Sequence, residues 1–276
     1  MKFDKPLVMG VLNITPDSFS DGGEYLTAQS ALDHAKLLLI SGADIIDVGG
    51  ESTRPGAARV DPALERERVI PVIRTLVADL NATVSIDTMN ASTAQAAVDA
   101  GAKIINDVSG GLADPGMFAV AAATGATLVI SHWRGFSDVM DSQNVYNDIA
   151  VDVARELSER VEAAVSAGVA REKIVIDPGL GFAKDMKQNW QLVSRLDELE
   201  KLGLPILVGA SRKRFIAGAI DPEEPALVSN ERRDVATAVL TALLLQRKLW
   251  GVRVHNVLAT TDTIRVVAAL RDAEQS

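Results

Sequence analysis

Hydrophobic and polar positions alternate along the 276-residue chain on two length scales. Brief apolar runs recur at Leu7 to Leu12, Ile45-Ile46-Asp47-Val48, Val84-Ser85-Ile86, Ile104-Ile105 and Leu128-Val129-Ile130. Ile174-Val175-Ile176, Ile206-Leu207-Val208 and Val252-Arg253-Val254 complete the set. Each is too short for a stable helix and rich in β-branched residues, as a buried parallel strand should be. Between them the periodicity becomes helical, over residues 28–40, 91–100, 115–123, 149–167, 188–202, 234–249 and 261–270. A further helix opens at Asp61-Pro62, with Asp as N-cap and Pro in the first turn. Gly42, Gly101, Gly125, Gly168 and Gly203 stand just after helical runs, where a left-handed residue turns the chain into the next strand. Eight strand–helix units without a break in composition predict an α/β protein, a single (β/α)8 TIM barrel over residues 1–276. An open doubly wound sheet is the alternative that the same alternation allows.

The strands end in polar residues. Asn13 and then Thr15-Pro16-Asp17-Ser18-Phe19-Ser20-Asp21-Gly22-Gly23 follow the first, and Gly49-Gly50-Glu51-Ser52-Thr53-Arg54-Pro55-Gly56 the second. Asp87-Thr88, Asn106-Asp107, His132-Trp133-Arg134, Asp177-Pro178-Gly179 and Ser211-Arg212-Lys213 follow the next five, and Arg253 and His255 belong to the eighth. In a barrel these positions form one rim, the face on which catalytic residues sit. Any single Asp or Asn there can be explained as a cap or strand stop, and Asp17 and Asp107 read as loop braces. Lys184 and Arg134 read as solvated loop charges, His34 as a surface or packing residue, and Trp133, Trp190 and Trp250 as packing. Convergence is what capping leaves unexplained, because so many polar groups around one rim are costly unless they pair or bind something. Asp and Asn suit a flat, nitrogen-rich heterocycle. Arg54, Arg253 and His255 suit a phosphate or carboxylate.

Composition narrows the partners. The net charge of −9 argues against nucleic acid or an anionic membrane surface as the main partner. The 47% hydrophobic content supplies a core, with only 4% aromatic residues. The absence of cysteine excludes disulfides and thiolate zinc sites and fits a reducing compartment. No apolar leader opens the sequence and no run is long enough to span a membrane, so a soluble, cytoplasmic protein is expected.

Taken together, the strand-end motifs resemble the dihydropteroate synthase family of pterin-binding barrels. The resemblance is carried by the run from Val8 to Gly23, by Gly49 to Ala57, and by Ser85-Ile86-Asp87-Thr88 and Ile105-Asn106-Asp107-Val108-Ser109-Gly110. Asp177-Pro178-Gly179-Leu180-Gly181-Phe182, Gly209-Ala210-Ser211-Arg212-Lys213 and Arg253-Val254-His255 complete it. It implies an alkyl transfer in folate biosynthesis, in which p-aminobenzoate displaces pyrophosphate from 6-hydroxymethyl-7,8-dihydropterin pyrophosphate. It further implies a homodimer, Mg2+ as cofactor and a sulfonamide-binding site. By the same resemblance Asp87, Asn106, Asp177 and Lys213 hold the pterin, and Asn13, Arg253 and His255 the pyrophosphate, with Asn13 also on the metal. Thr53, Arg54, Pro55, Phe182 and Ser211 form the p-aminobenzoate pocket. Asp87, Asp177, Lys213, Arg253 and His255 are the catalytic set.

Three departures from the family pattern stand out. Arg214 occupies the place after Lys213 where relatives often have Ser, so helix N-terminal amides, with Arg214 as a further candidate, are expected to hold the p-aminobenzoate carboxylate. Asn256 stands where Asp is common. His132-Trp133-Arg134-Gly135 replaces a Met-His pattern. A corrinoid methyltransferase would share Asp87 and Asn106 but would not need Thr53-Arg54-Pro55 or Ser211-Arg212-Lys213. A non-catalytic paralogue would show eroded loop motifs.

Overall fold

The computed structural model describes residues 5–14, 24–51, 59–136 and 139–274, and of residues 24–28 and 141 the backbone alone. All eight expected strands form: β1 (Leu7–Asn13), β2 (Ile45–Gly49), β3 (Val84–Asp87), β4 (Ile104–Asp107), β5 (Thr127–Ser131), β6 (Ile174–Asp177), β7 (Leu207–Val208) and β8 (Gly251–Val254). Every pairing is parallel, and the order β6-β5-β4-β3-β2-β1-β8-β7 sets each strand beside its sequence neighbours. A parallel bridge between Ile176 and Ile206 joins the two ends of that order. An open doubly wound sheet would reverse direction at a switch point and leave two edges, so the (β/α)8 barrel is the fold.

The helices are α1 (Glu24–Ile40), α2 (Pro62–Leu80), α3 (Ala91–Asp99), α4 (Met117–Thr124), α5 (Ile149–Ser166), α6 (Met186–Ser194), α7 (Asp197–Glu200), α8 (Arg214–Ile220), α9 (Asn230–Leu244) and α10 (Val257–Glu274). Asp61 caps α2 by accepting from the Ala63 amide at 2.8 Å, with Pro62 inside the first turn as expected. All five turn glycines have positive φ, from 66° at Gly203 to 111° at Gly101. Two features differ from the sequence reading. The helix expected over 188–202 is broken at Arg195, which leaves helical geometry while its guanidinium grips both oxygens of Asp148, the cap of α5. The short α8 was not expected. Among the described residues no helix is long and apolar enough to cross a membrane.

The barrel is built in layers, and strand alternation explains why. Met9, Ile45, Ile104, Val129, Val175 and Leu207 point inward and plug the centre. Their neighbours, such as Val8, Ile46, Ile105, Leu128, Ile130 and Ile176, face the helices in the larger core. With a period of two, the inward residue after each plug residue lies one layer nearer the C-terminal mouth. That layer contains Asp47, Asn106, Ser131, Asp177 and Gly209, reached from Ile45, Ile104, Val129, Val175 and Leu207.

Candidate active site

The polar layer above the plug is a connected set. Arg253 on β8 donates through Nε to Asp47 Oδ2 at 2.6 Å and through Nη2 to Asp87 Oδ2 at 2.7 Å. Asn106 donates through Nδ2 to the same Asp47 oxygen at 3.1 Å. Asp47, Asp87 and Asn106 are buried, so the guanidinium balances carboxylates that are largely shielded from bulk water. One cation serves two acids. Burial pushes the Asp87 carboxyl up to about 7; Arg253 opposes that shift and Asp47 adds to it. Burial alone would lower Arg253, but the two carboxylates outweigh it and hold the guanidinium firmly charged.

On the opposite side, Asp177 accepts from the Gly179 amide at 2.6 Å through Oδ1. Burial raises its pKa, against the pull of Lys213. Lys213 donates to the Leu180 carbonyl, and its ammonium lies 4.5 Å from the centre of the Phe182 ring. Burial lowers the Lys213 pKa to about 8, with Asp177 acting against the shift. Ser211 Oγ lies 3.0 Å from His255 Nδ1 and accepts from the His255 amide at 3.2 Å. Arg212, between Ser211 and Lys213, has φ +61°, a conformation that L residues other than Asn and Asp rarely take. A bidentate pair with Asp234, 2.7 Å at each nitrogen, anchors it.

Two glycines line the centre. A Cβ on Gly49 would sit 3.6 Å from both Asn13 Oδ1 and Asp87 Oδ2, and one on Gly209 would sit 3.5 Å from Asp177 Oδ2. Several polar atoms around that space have no protein partner among the described residues. Asp87 Oδ1 is buried and unpaired, as are Asp47 Oδ1 and Ser85 Oγ nearby. Orphaned buried acceptors of this kind call for a ligand or water that donates hydrogen bonds. The mouth thus offers acceptors from Asp87 and Asp177, with Lys213 and Arg253 as donors, matched to a heterocycle carrying both N–H groups and a ring carbonyl.

The structure brings Asn13, Asp87, Asn106, Asp177, Phe182, Ser211, Lys213, Arg253 and His255 to this one end of the barrel. Thr53, Arg54 and Pro55, like Asp17 and Gly22-Gly23, lie outside the described residues. Asp107 is a loop brace as read from sequence: it accepts from Ser109 N and Oγ and from Gly111 N. Trp190 packs edge-on against Phe215, and Trp250 packs beneath the barrel plug. Lys184 and Arg134 are not solvated loop charges. Lys184 is buried against His132, and Arg134 clasps Glu156 through two nitrogens, because the β5 and β6 loops fold onto each other. The sequence reading missed Asp47 as a functional residue. Its signal was a lone acid inside the apolar run Ile45-Ile46-Asp47-Val48, two residues beyond a plug position.

One of the departures has a local explanation. Asn256 caps α10, accepting from the Ala259 amide at 3.0 Å, and its Nδ2 lies 3.5 Å from Asp234 Oδ2. Asn caps as well as Asp and adds no charge beside Asp234. Arg214 is the first residue of α8 and is exposed.

Comparison with known proteins agrees with this geometry. Residues 9–255 match the family model described as pterin binding enzyme. Dihydropteroate synthase of Mycobacterium leprae (strain TN) is 48% identical over 264 residues, covering 95% of this chain and 92% of that protein. The dihydropteroate synthase of Xanthomonas albilineans, solved with 4-aminobenzoic acid, superposes with a TM-score of 0.88 at 41% identity, covering 98% of this chain and 94% of that one. The Yersinia pestis enzyme, solved in a sulfonamide drug complex, gives a TM-score of 0.89 at 37% identity, covering 99% and 96%. The chain belongs to the dihydropteroate synthase family of pterin-binding enzymes.

Proposed function

We propose that the chain condenses 6-hydroxymethyl-7,8-dihydropterin pyrophosphate with p-aminobenzoate, giving 7,8-dihydropteroate and pyrophosphate. The observation that carries this reading is the buried, unpaired Asp87 Oδ1 facing a mouth ringed by Asn106, Asp177 and Lys213. Asp87, Asn106 and Asp177 accept from the pterin N–H and amino groups, while Lys213 donates to the ring carbonyl. The methylene C–O bond breaks as pyrophosphate leaves, and the amine nitrogen of p-aminobenzoate forms the new C–N bond and sheds a proton. Positive character building on the pterin is stabilised by Asp87 and Asp177, and negative charge on the departing group by Arg253 and His255. Among the described residues Arg253 leaves Nη1 available for that task, since Nε and Nη2 are held by Asp47 and Asp87. No general base is obligatory, because an aromatic amine is already neutral near pH 7.

Mg2+ belongs to the same proposal. Among the described residues no cluster of three or more His, Cys, Asp or Glu side chains forms a metal cage. Mg2+ is commonly carried on substrate phosphates while keeping several waters. The Asn13 side chain has no hydrogen-bond partner among the described residues, so its amide oxygen would hold the ion. When bound, the ion supplies charge neutralisation on the leaving group.

The second substrate is assigned to Phe182 and Ser211, together with Thr53, Arg54 and Pro55, at a pocket that would also take sulfonamides. A homodimer is supported by an apolar row on α9, Val235, Val239 and Leu243, beside Leu258, Val266 and Leu270 on the adjoining α10, all exposed. A cytoplasmic location agrees with the cysteine-free sequence. The purified chain given both substrates and Mg2+ should release pyrophosphate in step with dihydropteroate. Folded protein that gives neither product overturns the proposal.

A further inference from the structure

Behind the active site lie two buried titratable side chains that the reaction does not use. Lys184 and His132 are both almost fully buried, and Lys184 Nζ lies 2.8 Å from His132 Nδ1. The same ammonium donates to the carbonyls of Gly179 at 2.9 Å and Phe182 at 3.0 Å. His132 Nε2 faces Glu156 Oε2 at 2.9 Å. A carboxylate only accepts, so Nε2 carries the imidazole proton and Nδ1 accepts from Lys184. All three ammonium hydrogens are then committed. Arg134 fixes Glu156 from the other side and stacks on Tyr146 at 3.8 Å, whose hydroxyl donates to the Ala183 carbonyl at 3.0 Å.

These bonds converge on one turn, Gly179 to Ala183. Three of its residues have left-handed backbones: Gly179, Gly181 and Ala183, at φ +64°, +78° and +49°. Gly179 is pressed so closely on the His132 carbonyl that a Cβ would fall 2.0 Å from it. The carbonyls of Gly179 and Phe182 point back to Lys184. The Leu180 carbonyl and the Phe182 ring, on the same turn, meet the Lys213 ammonium. A non-glycine at positive φ, such as Ala183, is strained and persists only where surrounding contacts hold it, and here those contacts include the Lys184 bonds to Gly179 and Phe182.

We propose that Lys184, seated on neutral His132, is a positioning residue that shapes the Gly179–Ala183 turn so that Leu180 and Phe182 hold Lys213 at the pterin. The inference rests on the reading that Lys213 contacts the pterin. Lys184 itself touches no substrate and acts through the turn.

The test compares His132→Gln with His132→Leu. A glutamine amide can accept from Lys184 and donate to Glu156, whereas leucine does neither. Dissociation constants for 6-hydroxymethyl-7,8-dihydropterin pyrophosphate are measured by calorimetry without p-aminobenzoate, beside thermal midpoints. The expected result is about tenfold weaker binding for His132→Leu and a value within about threefold of the parent for His132→Gln, even where both melt at the same lowered temperature. Equal affinity in the two variants overturns the proposal. If the leucine variant does not fold, His132→Asn replaces it: its shorter amide spans one partner but not both, so binding weakens, and unchanged binding overturns the inference. A parent protein that binds no pterin overturns the pterin reading itself, which is a different result.

Discussion

Asp47 and Arg253 stand 206 positions apart in sequence and meet at 2.6 Å in the barrel mouth. The contact orients the guanidinium so that Nη2 reaches Asp87, while the same Asp47 oxygen holds Asn106. Asp47 therefore governs the aim of residues assigned to both pterin and pyrophosphate without being placed on either.

Asp47→Asn should preserve shape while removing the charge. Removing one partner of a buried ion pair lowers stability, here by less than the roughly 3–5 kcal/mol of an isolated pair because Asp87 still balances Arg253. The expected outcome is a fall of about 100-fold in kcat/KM for the pterin substrate with a lowered melting temperature. Steady-state kinetics beside thermal unfolding measures both, and full activity would show that Asp47 does not aim Arg253.

The two shifted groups set the pH dependence. On the proposed reading Asp87, raised to about 7, must be ionised to accept from the pterin, so binding should weaken as pH falls through that value. On the same reading Lys213, lowered to about 8, must be protonated to donate, so binding should weaken again as pH rises through its own. A plot of kcat/KM for the pterin substrate should be a narrow bell between those values. Asp87→Asn should lose the acidic limb and keep the alkaline one. An acidic limb that persists in Asp87→Asn would assign it to another group.

Much of this architecture was legible in the sequence, because strand and helix periodicities differ and because helix-ending glycines mark the turns. All eight strands and the rim positions follow from those patterns alone. Asp47 was not legible in the same way. It lies within a strand run rather than after it, and its partners come from β4 and β8, so only the closed barrel reveals the contact. Lys184 and Arg134 were misread for a related reason: loop charges are usually solvated, and nothing local signals that two loops bury one another. The break at Arg195 depends on Asp148, equally invisible to local periodicity.

Arg212 offers a test of stored backbone strain. Arg212→Ala and Arg212→Gly both lose the pair with Asp234, but only alanine retains the cost of a left-handed backbone. The glycine variant should be more stable by about 1 kcal/mol. Chemical denaturation of the two variants measures the difference. Equal stability would mean that the turn relaxes once Asp234 is lost.

Arg214 begins α8, directly after Lys213, and is exposed. If it helps to receive the p-aminobenzoate carboxylate, Arg214→Ala should raise KM for p-aminobenzoate several-fold and leave KM for the pterin substrate unchanged. An unchanged KM for p-aminobenzoate would leave that carboxylate to the backbone amides.

The most direct measurement is a crystal structure of the chain soaked with 6-hydroxymethylpterin. The pterin ring should lie in the inward polar layer, donating to Asp87 Oδ1 and Asp177 and accepting from Lys213, with Asn106 on its edge. A pterin bound elsewhere, with those four side chains untouched, would contradict the assignment of the barrel mouth as the pterin site.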